Sequence, residues 1–193
     1  MDDGRRLPAS RARKRSIMNT RILVAYATRL GSTSDVAETI GQVLRDAGAD
    51  VEVLPVAEVI DLDSYDALVL GSAIRVGKPL PELVQFASRN ELALSGLPVA
   101  YFAVCATMKE DTPEHRDVVV GYLEPLRRIK EPLSIGLFAG AFEYGKVNRL
   151  VRWVLKALHA PEGDWRNWDE IRAWAADLAS RLSRPSVETA RVR

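Results

Sequence analysis

Residues 21–33 read R-I-L-V-A-Y-A-T-R-L-G-S-T, and the fold of the whole chain turns on how this stretch is parsed. Ile22 to Ala25 form an unbroken apolar run containing β-branched residues, the pattern of a strand covered on both faces. The character then changes. Thr28, Gly31, Ser32 and Thr33 bring hydroxyls and a flexible backbone into the turn 28–33, with Leu30 and one cation, Arg29. From Ser32 onward the spacing is helical, with Val36, Ile40, Val43, Leu44 and Ala47 along one face. A strand, a hydroxyl-rich turn and a helix start make an anion site. The first N–H groups of a helix lack intrahelical acceptors, and its dipole favours negative charge there.

The turn is not a Walker loop, because no Gly-Lys-Ser/Thr closes it. It is not a Gly-x-Gly-x-x-Gly dinucleotide turn either, since Gly31 stands alone. Hydroxyls in place of glycines suit a terminal monophosphate, whose oxygens take several O–H and N–H donors at once. The competing reading is an ordinary strand–helix turn in which Ser or Thr serves as N-cap.

A chain of 193 residues is most simply one domain, large enough to bury about 70% of its unfolded surface without staples. Its apolar runs all fall short of the ~20 residues needed to span a bilayer. A net charge of +1 gives no electrostatic case for nucleic-acid binding. Cys105 is the sole cysteine, so no intrachain disulfide can form, which fits a reducing cytoplasm. His115 and His159 have no partners at metal-ligand spacing, and no metal site is expected. Residues 1–17 carry six Arg/Lys and lack the apolar segment of a secretory signal. They read as a disordered basic arm, or as sequence ahead of a start at Met18.

After the first helix, which ends near Ala47-Gly48, strands and helices alternate. Strands are expected at Val51–Pro55, Tyr65–Ser72, Leu97–Val104 and Ser134–Ala139. Helices are expected at Leu80–Arg89, from Thr112-Pro113 to Arg128, and at Trp168–Leu182. Such alternation implies a parallel, doubly wound α/β sheet whose ligands sit at the carboxyl ends of the strands. The loops there should then look like a site. Gly71 to Lys78 (G-S-A-I-R-V-G-K) and Cys105 to Lys109 (C-A-T-M-K) are small and polar, as a close approach to a flat ring edge requires. Either loop alone reads as an ordinary turn. Three at one edge favour a planar phosphorylated ligand.

Four stretches narrow this further: A-T-R-L-G-S-T (27–33), G-S-A-I-R-V-G-K (71–78), A-G-A-F-E-Y-G-K (139–146) and N-W-D-E-I-R-A-W-A (167–175). Over residues 19–182 the chain resembles the flavodoxin family, and within it the menaquinone-dependent protoporphyrinogen dehydrogenase branch. The resemblance implies a flavodoxin-like three-layer sandwich with a five-stranded parallel sheet in the order 2-1-3-4-5. It implies that FMN is bound, its phosphate at Thr28, Arg29, Leu30, Gly31, Ser32 and Thr33. Its ring would be framed by Ser72, Ala73, Ile74, Arg75 and Gly77 on one side and Cys105, Ala106 and Thr107 on the other.

One-electron flavodoxins are strongly acidic around the flavin, which disfavours negative charge on its reduced form. This chain is neutral and puts Arg75 where the N1/O2 edge of the ring would lie. A cation there favours two-electron acceptance from a substrate, so a dehydrogenase is expected rather than a shuttle. The competing reading of Arg75 is a surface salt bridge to a neighbouring helix. Arg75 and Tyr144 are the candidates for electrostatic and substrate-contact roles. Cys105, at a strand end, reads as a small buried hydrophobe rather than a redox thiol.

Between the fifth strand and the last helix the chain spends residues 140–166. Val147, Leu150, Val151, Val154, Leu155 and Leu158 form one helical face there, with Lys146, Arg149, Arg152 and Lys156 mostly on the other. This basic helical insert (146–159) either packs on the domain with its cations solvated, or makes peripheral contact with an anionic membrane where a quinone acceptor is found. The part that follows it, 159–166, looks shorter than in the protoporphyrinogen dehydrogenases. The tail 183–193 reads as disordered. The expectation is a cytoplasmic FMN oxidoreductase acting on a small-molecule substrate or quinone, with a redox partner protein as a further option. The alternatives are an electron-transfer flavodoxin and a flavin-free binding module.

Overall fold

A computed structural model describes Ile17, residues 20–142 and residues 162–183. The N-terminal arm, the insert helix at 146–158 and the tail beyond Ser183 lie outside the described residues. The strands of the main sheet are β1 (Arg21–Ala27), β2 (Asp50–Pro55), β3 (Ala67–Arg75), the two-residue β4 (Lys78–Pro79), β5 (Val99–Cys105) and β6 (Ser134–Ala139). The five longer ones pair in parallel in the order β2-β1-β3-β5-β6, and β4 folds back antiparallel on β3. Counting the long strands alone, this is the order 2-1-3-4-5 of a flavodoxin-like sandwich.

The helices are α1 (Ser32–Asp46), α2 (Pro81–Arg89), α3 (Glu91–Gly96), α4 (Pro113–Tyr122), α5 (Glu124–Arg127) and α6 (Trp168–Leu182). They form two outer layers. Ile22 and Val24 of β1 face α1 and α6, burying Val36, Ile40, Leu44, Ile171, Ala175 and Leu178. Leu23 and Ala25 face the other way, into a core with Leu83, Phe86, Leu94, Leu123 and Leu126. The period-two alternation of β1 thus feeds both layers, which is why the strand reads as continuously apolar. At the centre Gly71 of β3 pairs with Phe102 of β5. A Cβ on Gly71 would lie 1.9 Å from the Phe102 ring, so only glycine allows that ring to lie across the sheet.

Beyond shifts of one or two residues at strand ends, three boundaries differ from the sequence reading, each for a physical reason. The expected helix over 113–128 breaks at Leu123, because Pro125 has no N–H to continue the ladder; α5 restarts with bonds from the N–H groups of Leu126 (2.9 Å) and Arg127 (3.0 Å) to the Leu123 carbonyl. A short α3 follows α2 after Asn90, whose side-chain amide donates to the Phe86 carbonyl at 2.8 Å. The third is functional. Residues 73–75 are strand rather than loop, because the turn Val76-Gly77 lets Lys78 and Pro79 pair back on Arg75 and Ile74. Both turn residues have positive φ (50° and 68°), as in the tight turns that suit a two-residue hairpin. Elsewhere the reading holds: Thr112 caps α4 by accepting from the His115 N–H at 3.2 Å, and Gly48, at φ 99°, ends α1.

Candidate functional site

The turn after β1 is shaped from within. Gly31 takes φ 91° and is the N-cap of α1, with no side-chain cap. Its N–H donates to Thr28 Oγ1 at 3.1 Å. Its carbonyl accepts from the N–H groups of Ser34 (3.0 Å) and Asp35 (3.2 Å) and from the Ser34 hydroxyl (2.5 Å). Thr28 and Ser34 are therefore occupied in holding the loop. Ser32 and Thr33 are not: their N–H groups, in the first turn of α1, find no acceptor among the described residues. Thr33 is fully buried and its Oγ1 has no hydrogen-bond partner. A buried hydroxyl left so costs about 1–3 kcal/mol unless something else satisfies it. A Ser or Thr N-cap, the competing reading of this turn, is not formed.

Arg29 takes a different place from its neighbours. Its guanidinium pairs with Glu82 in the first turn of α2, tying the loop to that helix. The Glu82 carboxyl is held below its ordinary range by the N–H of its own residue and then by Arg29. Leu30 is half-buried beside it.

On the β3–β4 hairpin Ser72 is fully buried, and its hydroxyl accepts from the Leu80 N–H at 2.8 Å while donating to the Ala73 carbonyl at 2.7 Å. It fastens the hairpin. Ala73 and Ile74 are half-buried, and Arg75 is exposed, with no salt bridge to a helix among the described residues. Gly77 lies against the Tyr122 ring, 3.2 Å from where its Cβ would stand. Cys105 is buried at the end of β5, and burial pushes its thiol pKa up despite hydrogen bonds from Met108 and Thr107. A thiol so placed is a poor nucleophile. Ala106 is exposed and Thr107 half-buried in the 3₁₀ turn Ala106–Lys109. Tyr144 lies outside the described residues.

The structure adds residues that the sequence did not single out. After β6, Ala141–Phe142 (β7) pairs antiparallel with Gly163–Asp164 (β8). Residues 163–168 then run as a strap along the carboxyl edge. The Trp165 N–H donates to the Gly140 carbonyl at 3.3 Å, and Lys109 Nζ lies over its indole. Gly140 itself adjoins the phosphate-loop candidate, with Ser32 Oγ 3.5 Å from the position of a Cβ there. Arg166 donates to Asp164 through Nε (2.8 Å) and Nη2 (2.6 Å) and to Asp35 through Nη1 (2.6 Å), with its plane over Trp168. These carboxylates, Asp164 first, raise its pKa above the ordinary arginine value. The flanking tryptophans of W-R-N-W were the available signal for a buried guanidinium. Asp35, so far away in sequence, gave none.

A family profile described as flavodoxin domain matches residues 23–167. The chain belongs to the flavodoxin domain family. Membership implies a bound flavin. The protoporphyrinogen IX dehydrogenase [quinone] of Escherichia coli K12 is 21% identical over 180 residues, covering 86% of this chain and 98% of the relative. Its namesake from Leishmania major is 25% identical over 171 residues, covering 82% and 74%. Among solved structures, a flavodoxin from the domain Archaea superposes with TM-score 0.53 at 17% identity, covering 84% of this chain and 99% of that one. An NADH:FMN oxidoreductase in its apo form gives 0.52 at 16% identity, covering 90% and 94%. These likenesses establish the fold.

Proposed function

We propose that this flavodoxin-family protein binds FMN and works as a dehydrogenase similar to the quinone-linked protoporphyrinogen dehydrogenases. The observation that carries the reading is the buried, partnerless Thr33 hydroxyl beside the N–H groups of Ser32 and Thr33 at the start of α1, which find no acceptor among the described residues. Together they offer a phosphate several donors of the kind it takes, at the positive end of a helix dipole. Thr28, Gly31 and Ser34 hold that turn, and Arg29 anchors it to α2. Ala73 to Gly77 on the hairpin and Cys105 to Thr107 beyond β5 would flank the ring, with Ser72 fixing the hairpin. Arg75, without an ion pair among the described residues, is available to stabilise negative charge on the reduced cofactor. When bound, FMN supplies the two-electron redox chemistry; the chain binds it, orients it and sets its electrostatics.

The relatives named for protoporphyrinogen and quinone span most of this chain, which supports those two as substrate and acceptor. No described helix is long and apolar enough to cross a membrane. The sequence pattern of 146–158 suits contact with a membrane surface, where a membrane quinone would be met.

The visible absorption of the purified protein, before and after FMN is added, tests the reading. One FMN bound per chain with quenched fluorescence supports it, and a protein that stays colourless on titration overturns it. Anaerobic turnover with protoporphyrinogen IX and a menaquinone analogue then separates a dehydrogenase from an electron carrier.

A further inference from the structure

Arg166 is the described guanidinium most withdrawn from water, its side chain 9% exposed, and one of its two partners belongs to the candidate phosphate helix. Asp35 stands in the first turn of α1, two residues after Thr33, and its own N–H is bonded to the Gly31 carbonyl that closes the turn. A carboxylate in that turn suits the helix dipole when the site is empty of anions. Toward a phosphate it is a like charge a short distance away. Arg166 answers that problem. Its Nη1 bond to Asp35 fixes the first turn of α1 against the strap, and its charge, shared with Asp164, offsets part of that carboxylate. Asp164 grips the Nε and Nη2 edge of the same guanidinium, and Trp168 covers its face, so the cation cannot swing away.

We propose that Arg166 is a positioning residue for the phosphate site: it clamps Asp35, holds the first turn of α1 with its N–H groups presented, and offsets part of the charge of the one carboxylate of that turn. The proposal rests on reading 28–33 as the phosphate turn. It assigns to the strap a role in selecting phosphorylated over unphosphorylated flavin, at a residue that itself need not touch the cofactor.

Titration of the full chain with FMN and with riboflavin, which lacks the phosphate, tests it by fluorescence quenching. Arg166→Met should weaken FMN by about tenfold, the size of one charge interaction near a protein surface, and leave riboflavin unchanged. Asp35→Asn keeps an acceptor for Arg166 and removes the charge, so FMN should bind more tightly with riboflavin again unchanged. The double variant should recover most of the Arg166→Met loss. If Arg166→Met does not fold, the Asp35→Asn result decides alone. Equal losses for both flavins, no recovery in the double variant, or FMN binding that Asp35→Asn leaves unmoved or weakens would overturn the proposal. Failure of the phosphate reading looks different: the unmodified chain would then bind FMN no better than riboflavin.

Discussion

The ammonium of Lys109 lies 3.3 Å from the centroid of the Trp165 ring, joining the turn after β5 to the strap after β8. Both residues are half-buried, so the cation is partly desolvated, and the backbone that carries the ring is tied by the Trp165 amide N–H to the Gly140 carbonyl. A contact of this kind contributes about 0.5–1 kcal/mol at such a site. Lys109→Met should lower the urea-unfolding free energy by about that amount. In a double-mutant cycle with Trp165→Leu the two losses should fall short of additivity by a similar margin. Strict additivity would mean that the two residues are only neighbours.

Thr33→Val separates stability from binding. Valine keeps the shape of the side chain and removes a buried oxygen that has no partner. The flavin-free protein should gain about 1 kcal/mol in chemical unfolding, from relief of an unsatisfied polar group. FMN affinity should fall about tenfold, one charge-assisted hydrogen bond lost to the phosphate. A variant that is both less stable and unchanged in FMN affinity would show that the hydroxyl serves the fold.

How much of this was readable in advance follows from the range of each interaction. The strands, α1 and α6 were legible because their signals are local: β6 and α6 run over the expected Ser134–Ala139 and Trp168–Leu182. The hydroxyl-rich turn was legible for the same reason. The β3–β4 hairpin was not, because Val-Gly is a weak turn signal and Ser72 to Arg75 lack the apolar run of a buried strand. The roles of Arg29 and Arg166 were hidden differently. Each is fixed by a carboxylate on a distant element, Glu82 and Asp35, and a charge pair leaves no periodicity to read.

Tyr65 gives a pH signature at the far end of the sheet. Its hydroxyl donates to Glu52 Oε2 at 2.5 Å, and its pKa is pushed up to about 12, first by burial and then by that bond and the Glu52 charge. A folded pKa above the unfolded value of 10.0 means the neutral phenol is favoured by folding. That contribution is complete below the unfolded pKa and is lost as pH rises from 10.0 through about 12. Tyrosinate absorbance followed through an alkaline titration should show a late-ionising phase that Tyr65→Phe diminishes. The alkaline loss of stability should also become shallower over that window. An unchanged titration in Tyr65→Phe would place the shift on another tyrosine.

Val76 sits at φ 50° and is 92% exposed, a β-branched residue in the left-handed region with almost nothing to pack against. Such a conformation costs about 1–2 kcal/mol relative to a residue that tolerates it. Its neighbour Gly77 needs its own positive φ and also the absence of a Cβ beside Tyr122. Asn-Gly is the pair that this turn prefers. Val76→Asn should therefore raise the unfolding midpoint, by about 1 kcal/mol in free energy, since the strain is relieved and no buried contact is lost. Gly77→Ala should act the other way, adding strain and crowding the ring. Because the asparagine keeps the hairpin backbone, Arg75 should stay in place and FMN affinity should not change. If Val76→Asn is more stable yet loses turnover with intact FMN binding, the strain at the hairpin tip is retained for function, and the tip itself meets the substrate.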